Sequence, residues 1–507
     1  MSDASVADAL RSSARSVLVE APAGTGKTYQ AASYARHAVD ELRKGQRLLI
    51  LAHTHAACGV FSSRTHDLGT RVNVGTIDSL IAAIAKAYHR ALSLPADINA
   101  WSIELGDASY SELARKVRLL LERSPMVGSA IVERHPIVVC DEHQDASADQ
   151  HAVVAALHLA GARLRFFGDP MQTIFASGPE RQALVRQWQA LADVADEVEK
   201  LDTPHRWAHG SPSLGAWVLR QRERLRAGEP VDLRGKLPRG LKVLRADNQA
   251  DRHGGYQLGL QDRRPISSLV QDSASVLVLT PHNAMVRGLN GFFGWRVPIW
   301  EGHTREALSD LLASCRRNAG NAVAIGQAFC TFLGTVGKGF SASAYGDRLI
   351  KELQSQCAKP ARGKPAEIQE IARLILTDPS HLGVGAALEH VHHLMHTSQN
   401  FSDIRIDLRR EFAEARRVHA HADLTMVLAM QAHQRGTRRA EMPPKVISTI
   451  HKSKGLETRN AILIPCEAAN LKANDRDRCL LYVALSRASE TLTVVVPRLN
   501  PSPLAWV

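Results

Sequence analysis

Aromatic residues and paired cysteines are both scarce in this sequence of 507 residues. Phe, Trp and Tyr together make up 5% of the chain, so few side chains are available to stack on nucleobases. The seven cysteines are scattered and form no C-x-x-C pair, which argues against a disulfide framework and against a cysteine zinc cluster. This cysteine usage favours a reducing compartment such as the cytosol.

Long apolar runs are also missing. No stretch of about 18 or more apolar residues occurs, so we expect no membrane span and no membrane partner. The N-terminal "MSDASVADALRSS" lacks the basic-then-apolar pattern of a secretory signal, and we expect a cytoplasmic protein. The chain is too long for one hydrophobic core, and its length suggests roughly three or four compact units.

Acidic residues are in the minority. The chain has 63 Lys and Arg against 51 Asp and Glu, a net charge of +12. A modest basic excess suits a polyanionic partner such as nucleic acid, although many basic proteins bind none.

Short apolar segments that are typical of strands fall into two groups. The first group lies within residues 17–170, and the second at 275–280 and 461–497. Helical patterns separate these segments, and the alternation predicts parallel sheets flanked by helices. Helical insertions are expected at about residues 82–134, which include the amphipathic "SELARKVRLLLERS", and 291–440. The sequence therefore predicts two α/β domains, each interrupted by a helical insertion.

The segment "APAGTGKT" follows the apolar "SVLVE" and precedes a helical pattern. Glycines let such a loop turn its backbone N–H groups towards phosphates, and Lys27 would reach the β- and γ-phosphates. The Thr28 hydroxyl would bind Mg²⁺. The segment predicts a nucleotide site that requires ATP and Mg²⁺. Its expected members are Ala23, Gly24, Thr25, Gly26, Lys27 and Thr28.

Two adjacent acids, Asp141 and Glu142, follow the apolar "PIVVC". We expect this strand to end at the carboxyl edge of the sheet, beside the loop of the first strand. Asp141 would hold Mg²⁺, and Glu142 would orient and deprotonate the attacking water. Gln172, which follows the strand-like "RFFGD", is a candidate sensor of the γ-phosphate.

Two arginines downstream are candidates for the γ-phosphate. Arg206 lies in "LDTPHRW", and Arg487 lies in the helical "LLYVALSRASE". An arginine from a second domain can complete the site in cis, and ATP would then close the two domains. Such a cycle is typical of a motor, whereas the loop alone occurs equally in kinases, transporters and GTPases.

Together these segments resemble the superfamily 1 helicases of the UvrD/Rep type. The matching stretches stand in family order and span residues 21 to 490. They are "APAGTGKT", "AHTHAACGVFSSR", "VGTIDSL", "VVCDEHQD", "GDPMQTIF", "LDTPHRW", "STIHKSKGLE" and "LYVALSRA". The form "HKSKGLE" favours the UvrD/Rep branch over the Pif1/RecD branch.

The resemblance implies two RecA-like domains with helical insertions and ATP-driven, 3′-to-5′ movement along single-stranded DNA. Domain 1A would cover residues 1–81 and 135–205, insertion 1B 82–134, domain 2A 206–290 and 441–507, and insertion 2B 291–440. It implies that Glu457 serves ATP together with the residues named above. It also implies that five further residues touch DNA or transmit the ATP state to it. These are Thr54, Arg64, Thr76, Thr449 and His451.

Two departures from the family pattern concern the recognition of adenine and of DNA bases. No Gln precedes the phosphate loop, where the family has one that reads adenine; the first in the chain is Gln30. The segment after "GDPMQTIF" reads "ASGPE", without the family's base-stacking Trp. We expect Phe175, Trp188 and Trp207 to belong to the core, so that DNA binding depends on phosphate contacts and is sensitive to salt.

The short chain, the "GTID" segment and the short N-terminal region resemble the helicase-like subunit of the Gabija anti-phage system. This narrower resemblance implies a partner nuclease of the OLD family and a role as a sensor of DNA ends. Two hypotheses therefore stand: a translocase or helicase in defence or repair, and a DNA-stimulated regulatory ATPase that unwinds little. The histidine-rich "LEHVHHLMH" is predicted to be a solvated or partner-facing helix rather than a metal site.

Overall fold

A computed structural model describes residues 3–105, 108–248, 256–302, 305–424, 426–427 and 441–507. The chain divides into two compact units. Unit 1 comprises Met1–Pro298 and Glu441–Val507, and unit 2 comprises Ile299–Ala440.

The first sheet of unit 1 is parallel, with the strand order β3-β2-β4-β5-β1-β6. Its strands are β1 (Ser16–Glu20), β2 (Leu48–Ala52), β3 (Val72–Thr76), β4 (Ile137–Cys140), β5 (Arg163–Gly168) and β6 (Glu197–Lys200). The central strands are apolar and almost fully buried because helices cover both faces. Since all strands run the same way, the loops that follow them meet at one edge.

The helices around this sheet connect its strands. They are α1 (Asp3–Arg11), α2 (Lys27–Ala38), α3 (His55–Arg64), α4 (Ile77–Ala87), α5 (Ile98–Leu105), α6 (Ala108–Arg123), α7 (Pro125–Arg134), α8 (Ala148–Leu159) and α9 (Gly178–Val194). The predicted amphipathic helix is confirmed as α6. Its apolar face, with Leu113 and Val117, shares one buried core with Val138 of the sheet. The helices of residues 98–134 therefore pack directly on the first sheet.

The second sheet of unit 1 is also parallel, with the order β12-β9-β13-β14-β8. Its strands are β8 (Leu241–Arg245), β9 (Val276–Thr280), β12 (Lys445–Thr449), β13 (Thr458–Leu463) and β14 (Ala488–Val496). A small parallel pair joins β7 (Val231–Asp232) and β15 (Ala505–Trp506). The accompanying helices are α10 (Pro212–Arg226), α11 (Leu260–Asp272), α12 (Asn283–Phe292) and α19 (Asp475–Leu485).

Unit 2 is mainly helical. It contains α13 (Glu306–Arg317), α14 (Ala322–Val336), α15 (Asp347–Gln354), α16 (Lys364–Thr377), α17 (His381–Thr397) and α18 (Arg409–Arg416). An antiparallel pair, β10 (Gly337–Lys338) and β11 (Arg405–Ile406), lies between them. A continuous apolar core includes Phe329, Phe332 and Phe401. This unit lies within the range expected for insertion 2B, although that assignment stays a prediction.

The predicted α/β class, with parallel sheets flanked by helices, is confirmed. Within the described ranges, we find no helix both long and apolar enough to cross a bilayer.

Candidate active site

The loop after β1 has a conformation that requires glycine. Gly24 and Gly26 have φ values of 76° and 88°, in the left-handed region. A Cβ atom at Gly24 would lie 2.7 Å from the Trp207 ring and 2.8 Å from the Arg206 Cβ. The buried Thr25 hydroxyl donates to the Pro22 carbonyl and holds the turn. The loop thus presents the first turn of α2, whose N–H groups suit an anion.

Lys27 and the two acids form the centre of the site. Lys27 Nζ lies 3.2 Å from Asp141 Oδ1 and donates a hydrogen bond to Glu142 Oε1. The order of the sheet places β5 between β4 and β1, so the two strands are not direct neighbours. The acids nevertheless contact Lys27 directly after the first loop, as expected for the shared carboxyl edge of the sheet. Glu142 has a φ of 53°, unusual for a residue with a side chain, which marks a constrained position.

The charges of this cluster are coupled. Burial lowers the pKa of Lys27, but Asp141 and Glu142 outweigh it and raise that pKa above its ordinary value. Burial and the neighbouring Glu142 raise the pKa of Asp141. Burial would also raise the pKa of Glu142, yet Lys27 and Lys454 hold it well below its ordinary value. Glu142 is therefore ionised at neutral pH, as a general base must be.

Oxygen ligands suitable for Mg²⁺ lie on the two elements that carry this cluster. Thr28 is in the first turn of α2, and Asp141 directly follows β4. A hydroxyl and a carboxylate are hard oxygen donors, which Mg²⁺ prefers. The residues present therefore fit the expected ion.

A hydrogen-bond chain links the acids to Gln172. The Gln144 amide donates to Glu142 Oε2 at 2.6 Å, and Gln144 Oε1 accepts from the Asp169 N–H at 3.0 Å. Gln172 Nε2 donates to Asp169 Oδ2 at 3.0 Å. The part of unit 1 built around the second sheet is called its second half, and the part around the first sheet its first half. Lys454, from the second half, donates to Asp145 and to the Gln172 carbonyl. Gln172 thus lies where the two halves of unit 1 meet.

Arg206 also reaches the phosphate loop, and Glu457 pairs with it. The Arg206 N–H donates to the Gly24 carbonyl at 3.0 Å. Its guanidinium pairs with Glu457 at 2.9 Å and donates to the Ser486 carbonyl. The structure therefore brings Arg206 to the loop that Lys27 follows, and places Glu457 beside the Arg206 guanidinium.

Arg487 is turned inward. It is 1% exposed and donates to the carbonyls of Val483 and Leu456 and to the Ser486 hydroxyl. Burial and the nearby Arg206 lower the pKa of Arg487 to about 9, which leaves it charged at neutral pH. It lies close to Arg206, but its donors are engaged within its own half of unit 1.

Two contacts escaped the sequence-based prediction. The Tyr482 hydroxyl accepts a hydrogen bond from the Ala23 N–H at 2.8 Å, so α19 touches the phosphate loop directly. Lys454 bridges the acidic loop and Gln172. Tyr482 lies in "LYVALSRA" and Lys454 in "HKSKGLE", two of the stretches that resemble the helicase family. Their place in these stretches was the only indication in the sequence of a role at the site.

Three of the five residues expected to touch DNA or to transmit the ATP state to it lie at the ends of parallel strands or just after them. Thr54 follows β2 and caps α3, Thr76 ends β3 and caps α4, and Thr449 ends β12 and accepts from the Lys452 N–H. Thr76 and Thr449 are buried, whereas Thr54 and Arg64 are exposed. The structure gives the three threonines local capping roles, and their contact with DNA stays a prediction.

Phe175 corrects the expectation for the aromatic residues. Trp188 and Trp207 belong to the core as expected, but Phe175 is 56% exposed. The Phe175 ring centroid lies 6.5 Å from the His451 ring centroid. Lys454 Nζ lies 5.2 Å from the Phe175 ring centroid. Burial and Arg476 lower the pKa of His451 to about 4, so this histidine is neutral at physiological pH. An exposed aromatic ring therefore adjoins His451, which the family resemblance predicts to touch DNA or to transmit the ATP state to it.

Two other expectations concern possible ligands. Gln30 is buried and donates to the Asp3 carbonyl at 3.3 Å, so it holds α1 in place. In the histidine-rich α17, His390 pairs with Glu370 at 3.1 Å. No group of three or more His, Cys, Asp or Glu side chains with metal-ligand geometry occurs in the part of the chain that the structure describes.

His143 makes the fold sensitive to acid. Burial and His151 lower the pKa of His143 to about 3. Between the unfolded value near 6.5 and this value, the unfolded chain binds a proton that the native state does not. Stability must therefore fall as pH falls through this window.

We expect His143→Phe to reduce this pH dependence. Both proteins should lose unfolding free energy between pH 8 and pH 5. The loss in His143→Phe should be smaller than that in the wild type, by up to about 2 kcal/mol. Chemical denaturation at the two pH values measures it, with the exposed His66→Phe as the control. Equal losses in all three proteins would contradict the assignment.

Comparison with known families agrees with this geometry. Residues 3–230 match the family model of an AAA domain, and residues 445–495 match that of a UvrD-like helicase C-terminal domain. The two matches support a UvrD/Rep-like superfamily 1 helicase family. They indicate a nucleotide-binding P-loop ATPase of the helicase type, dependent on nucleic acid. No curated protein matches the chain significantly.

Proposed function

We propose that this helicase-like chain hydrolyses ATP to move 3′-to-5′ along single-stranded DNA. The observation that carries the proposal is the meeting of two sets of residues at one loop. Lys27, Asp141 and Glu142 come from the first sheet. Arg206 and Tyr482 approach the same loop from the second half of unit 1.

In this proposal, nucleotide binding rearranges the ion pairs of Lys27. The γ-phosphate takes over the Lys27 ammonium, which now contacts Glu142. Glu142 then accepts a proton from the attacking water, and Gln172 responds to the state of the γ-phosphate. Thr28 and Asp141 would hold Mg²⁺, which would supply neutralisation of the phosphate charge. Lys27 and Arg206 stabilise the additional negative charge of the transition state.

The DNA contacts in this proposal combine phosphate and base recognition. Thr54, Thr76 and Thr449 lie at or just after strand ends, Arg64 is the last residue of α3, and His451 lies beside Phe175. Because Phe175 presents an exposed ring, it supplies a stacking surface in addition to phosphate contacts. ATP-dependent motion of Lys454 against the Gln172 carbonyl would transmit the nucleotide state to this surface.

We expect Phe175→Ala to weaken binding of single-stranded DNA by about 5- to 150-fold, the equivalent of about 1–3 kcal/mol for one stacked base. Fluorescence anisotropy with a labelled oligonucleotide measures the change. Tyr110→Ala is the matched control, because Tyr110 is an equally exposed aromatic residue on α6. Affinities equal to the wild type in both variants would remove the stacking role.

A 3′-tailed duplex tests the proposed activity as a whole. ATP-dependent strand separation from the 3′ tail, and not from a 5′ tail, is the expected result. DNA-stimulated ATP hydrolysis without separation of either substrate would contradict helicase activity. It would favour the second hypothesis, a regulatory ATPase that senses DNA ends and controls a nuclease of the OLD type. Such a nuclease is then added, and its DNA cleavage is measured with and without this chain. Cleavage that depends on the chain indicates a regulatory ATPase, and cleavage that does not indicates a helicase of repair or defence.

A further inference from the structure

Arg222 on α10 is a buried arginine outside all the motifs described above. It is fully buried, and its guanidinium reaches the ends of two strands of the first sheet. Nη2 and Nε lie 2.6 and 3.1 Å from Asp169 Oδ1, just after β5. Nη2 also lies 2.7 Å from Glu20 Oε1 at the end of β1. Arg222 thus ties α10 to the edge that carries the nucleotide site.

The other side of Arg222 faces the second half of unit 1. Its helix α10 packs against α19 and β14. The Arg222 Cζ lies 5.9 Å from the Tyr482 ring centroid, and the Tyr482 hydroxyl accepts from the Ala23 N–H. A single guanidinium therefore contacts both the first sheet and the tyrosine that touches the phosphate loop.

Asp169 passes the position of Arg222 on to the reacting groups. Its Oδ2 accepts from Gln172 Nε2, and its N–H donates to Gln144. Gln144 in turn donates to Glu142 Oε2. Two short hydrogen-bond paths therefore run from Arg222, one to Gln172 and one to Glu142.

The charge on Arg222 is what holds Asp169. Burial lowers the pKa of Arg222, but the Asp169 carboxylate outweighs it and places that pKa well above the ordinary value. Asp169 is itself fully buried. Without Arg222 its carboxylate would be a buried charge without its cation, and it would have to turn towards another donor. That turn alters its bonds to Gln172 and Gln144.

We propose that Arg222 is a positioning residue for ATP hydrolysis, which fixes Asp169 and thereby aims Gln172 and the Glu142 carboxylate. This inference rests on the proposed ATPase function. It differs from a purely structural role, for which Arg165 is the comparison. Arg165 is equally buried, but its guanidinium donates to backbone carbonyls, those of Leu10, Ser12, Ala14 and Leu164.

Three variants of the full chain separate these roles. Arg222→Lys keeps a charge but loses the two-nitrogen contact with Asp169. Arg165→Lys disturbs a buried arginine whose guanidinium donates to backbone carbonyls instead of Asp169. Arg226→Gln removes a second, 48% exposed partner of Glu20 from the same helix. DNA-stimulated turnover, the KM for ATP and the thermal midpoint are measured for each.

We expect Arg222→Lys to lower kcat by about 10- to 100-fold with little change in KM, because small misplacements of reacting groups cost this much. Arg165→Lys should lower the thermal midpoint but keep kcat per folded molecule, and Arg226→Gln should match the wild type. Asp169→Asn removes the carboxylate that Arg222 binds and should show the same loss of kcat. It is the alternative test if Arg222→Lys does not fold.

A wild-type kcat in Arg222→Lys or Asp169→Asn would overturn the inference. A loss of kcat accompanied by a KM change of similar size in Arg222→Lys would also overturn it. Failure of the wild-type chain itself to hydrolyse ATP would instead refute the proposed function. The two failures are therefore distinguishable in one set of assays.

Discussion

Glu142→Gln is expected to slow ATP hydrolysis by roughly 10²- to 10⁴-fold, the usual loss on removing a general base. Binding of ATP should stay close to that of the wild type, because the amide preserves the size of the side chain and Lys27 keeps Asp141 as a partner. The physical reason is the charge of Glu142, whose pKa Lys27 and Lys454 hold low despite its burial. Steady-state turnover and binding of a fluorescent ATP analogue measure the two quantities.

Two companion variants define the effect of Glu142→Gln. Glu197→Gln changes an acid at the start of β6, the opposite edge of the same sheet, and should hydrolyse ATP normally. Lys27→Ala should abolish turnover and also weaken ATP binding, since Lys27 is expected to contact the phosphates. Substantial hydrolysis by Glu142→Gln or Lys27→Ala would show that the reaction occurs elsewhere in the chain.

Arg206→Ala is expected to lower turnover by about 10³-fold or more, the scale for removing an arginine finger. Its backbone lies against Gly24, so its side chain needs only a local change to leave Glu457 and reach a γ-phosphate. Arg459→Ala is a suitable control, because Arg459 is an exposed arginine at the start of β13. A decrease of less than about tenfold in Arg206→Ala would be too small for a finger.

Arg487 requires a more conservative variant. Arg487→Ala would leave buried carbonyls of Val483 and Leu456 without their donor, so it would destabilise the fold as well as the reaction. Arg487→Lys keeps the charge and tests the phosphate role with less disturbance. If Arg487 is a second finger, turnover should fall with ATP binding retained; normal turnover in a folded Arg487→Lys protein would remove that role.

The local parts of the site could be predicted from the sequence. A strand, a glycine loop and a helix follow one another around Lys27, and an apolar strand immediately precedes Asp141. Each of these features lies within a few residues, so hydrophobic pattern and turn chemistry determine it. By contrast, β6 reads "EVEK" and lacks an apolar pattern, because it is an edge strand with little burial.

Long-range contacts could not be predicted in the same way. Arg222 stands in "RQRERLRAG", a segment that suggests a solvated basic face, yet it is fully buried against Asp169, 53 positions away. The exposure of Phe175 likewise depends on how Lys454 and His451 approach it from the second sheet. Charge pattern alone does not distinguish the buried arginine of α10 from the exposed Arg226 one turn later.

The proposed function requires that this chain couples ATP hydrolysis to single-stranded DNA. The most direct measurement is the rate of ATP hydrolysis by the wild-type chain with and without a saturating single-stranded oligonucleotide, in the presence of Mg²⁺. We expect a low rate without DNA, strong stimulation by DNA, and no activity in either condition for Lys27→Ala. A rate that DNA leaves unchanged, or hydrolysis that persists in Lys27→Ala, would contradict the proposed function.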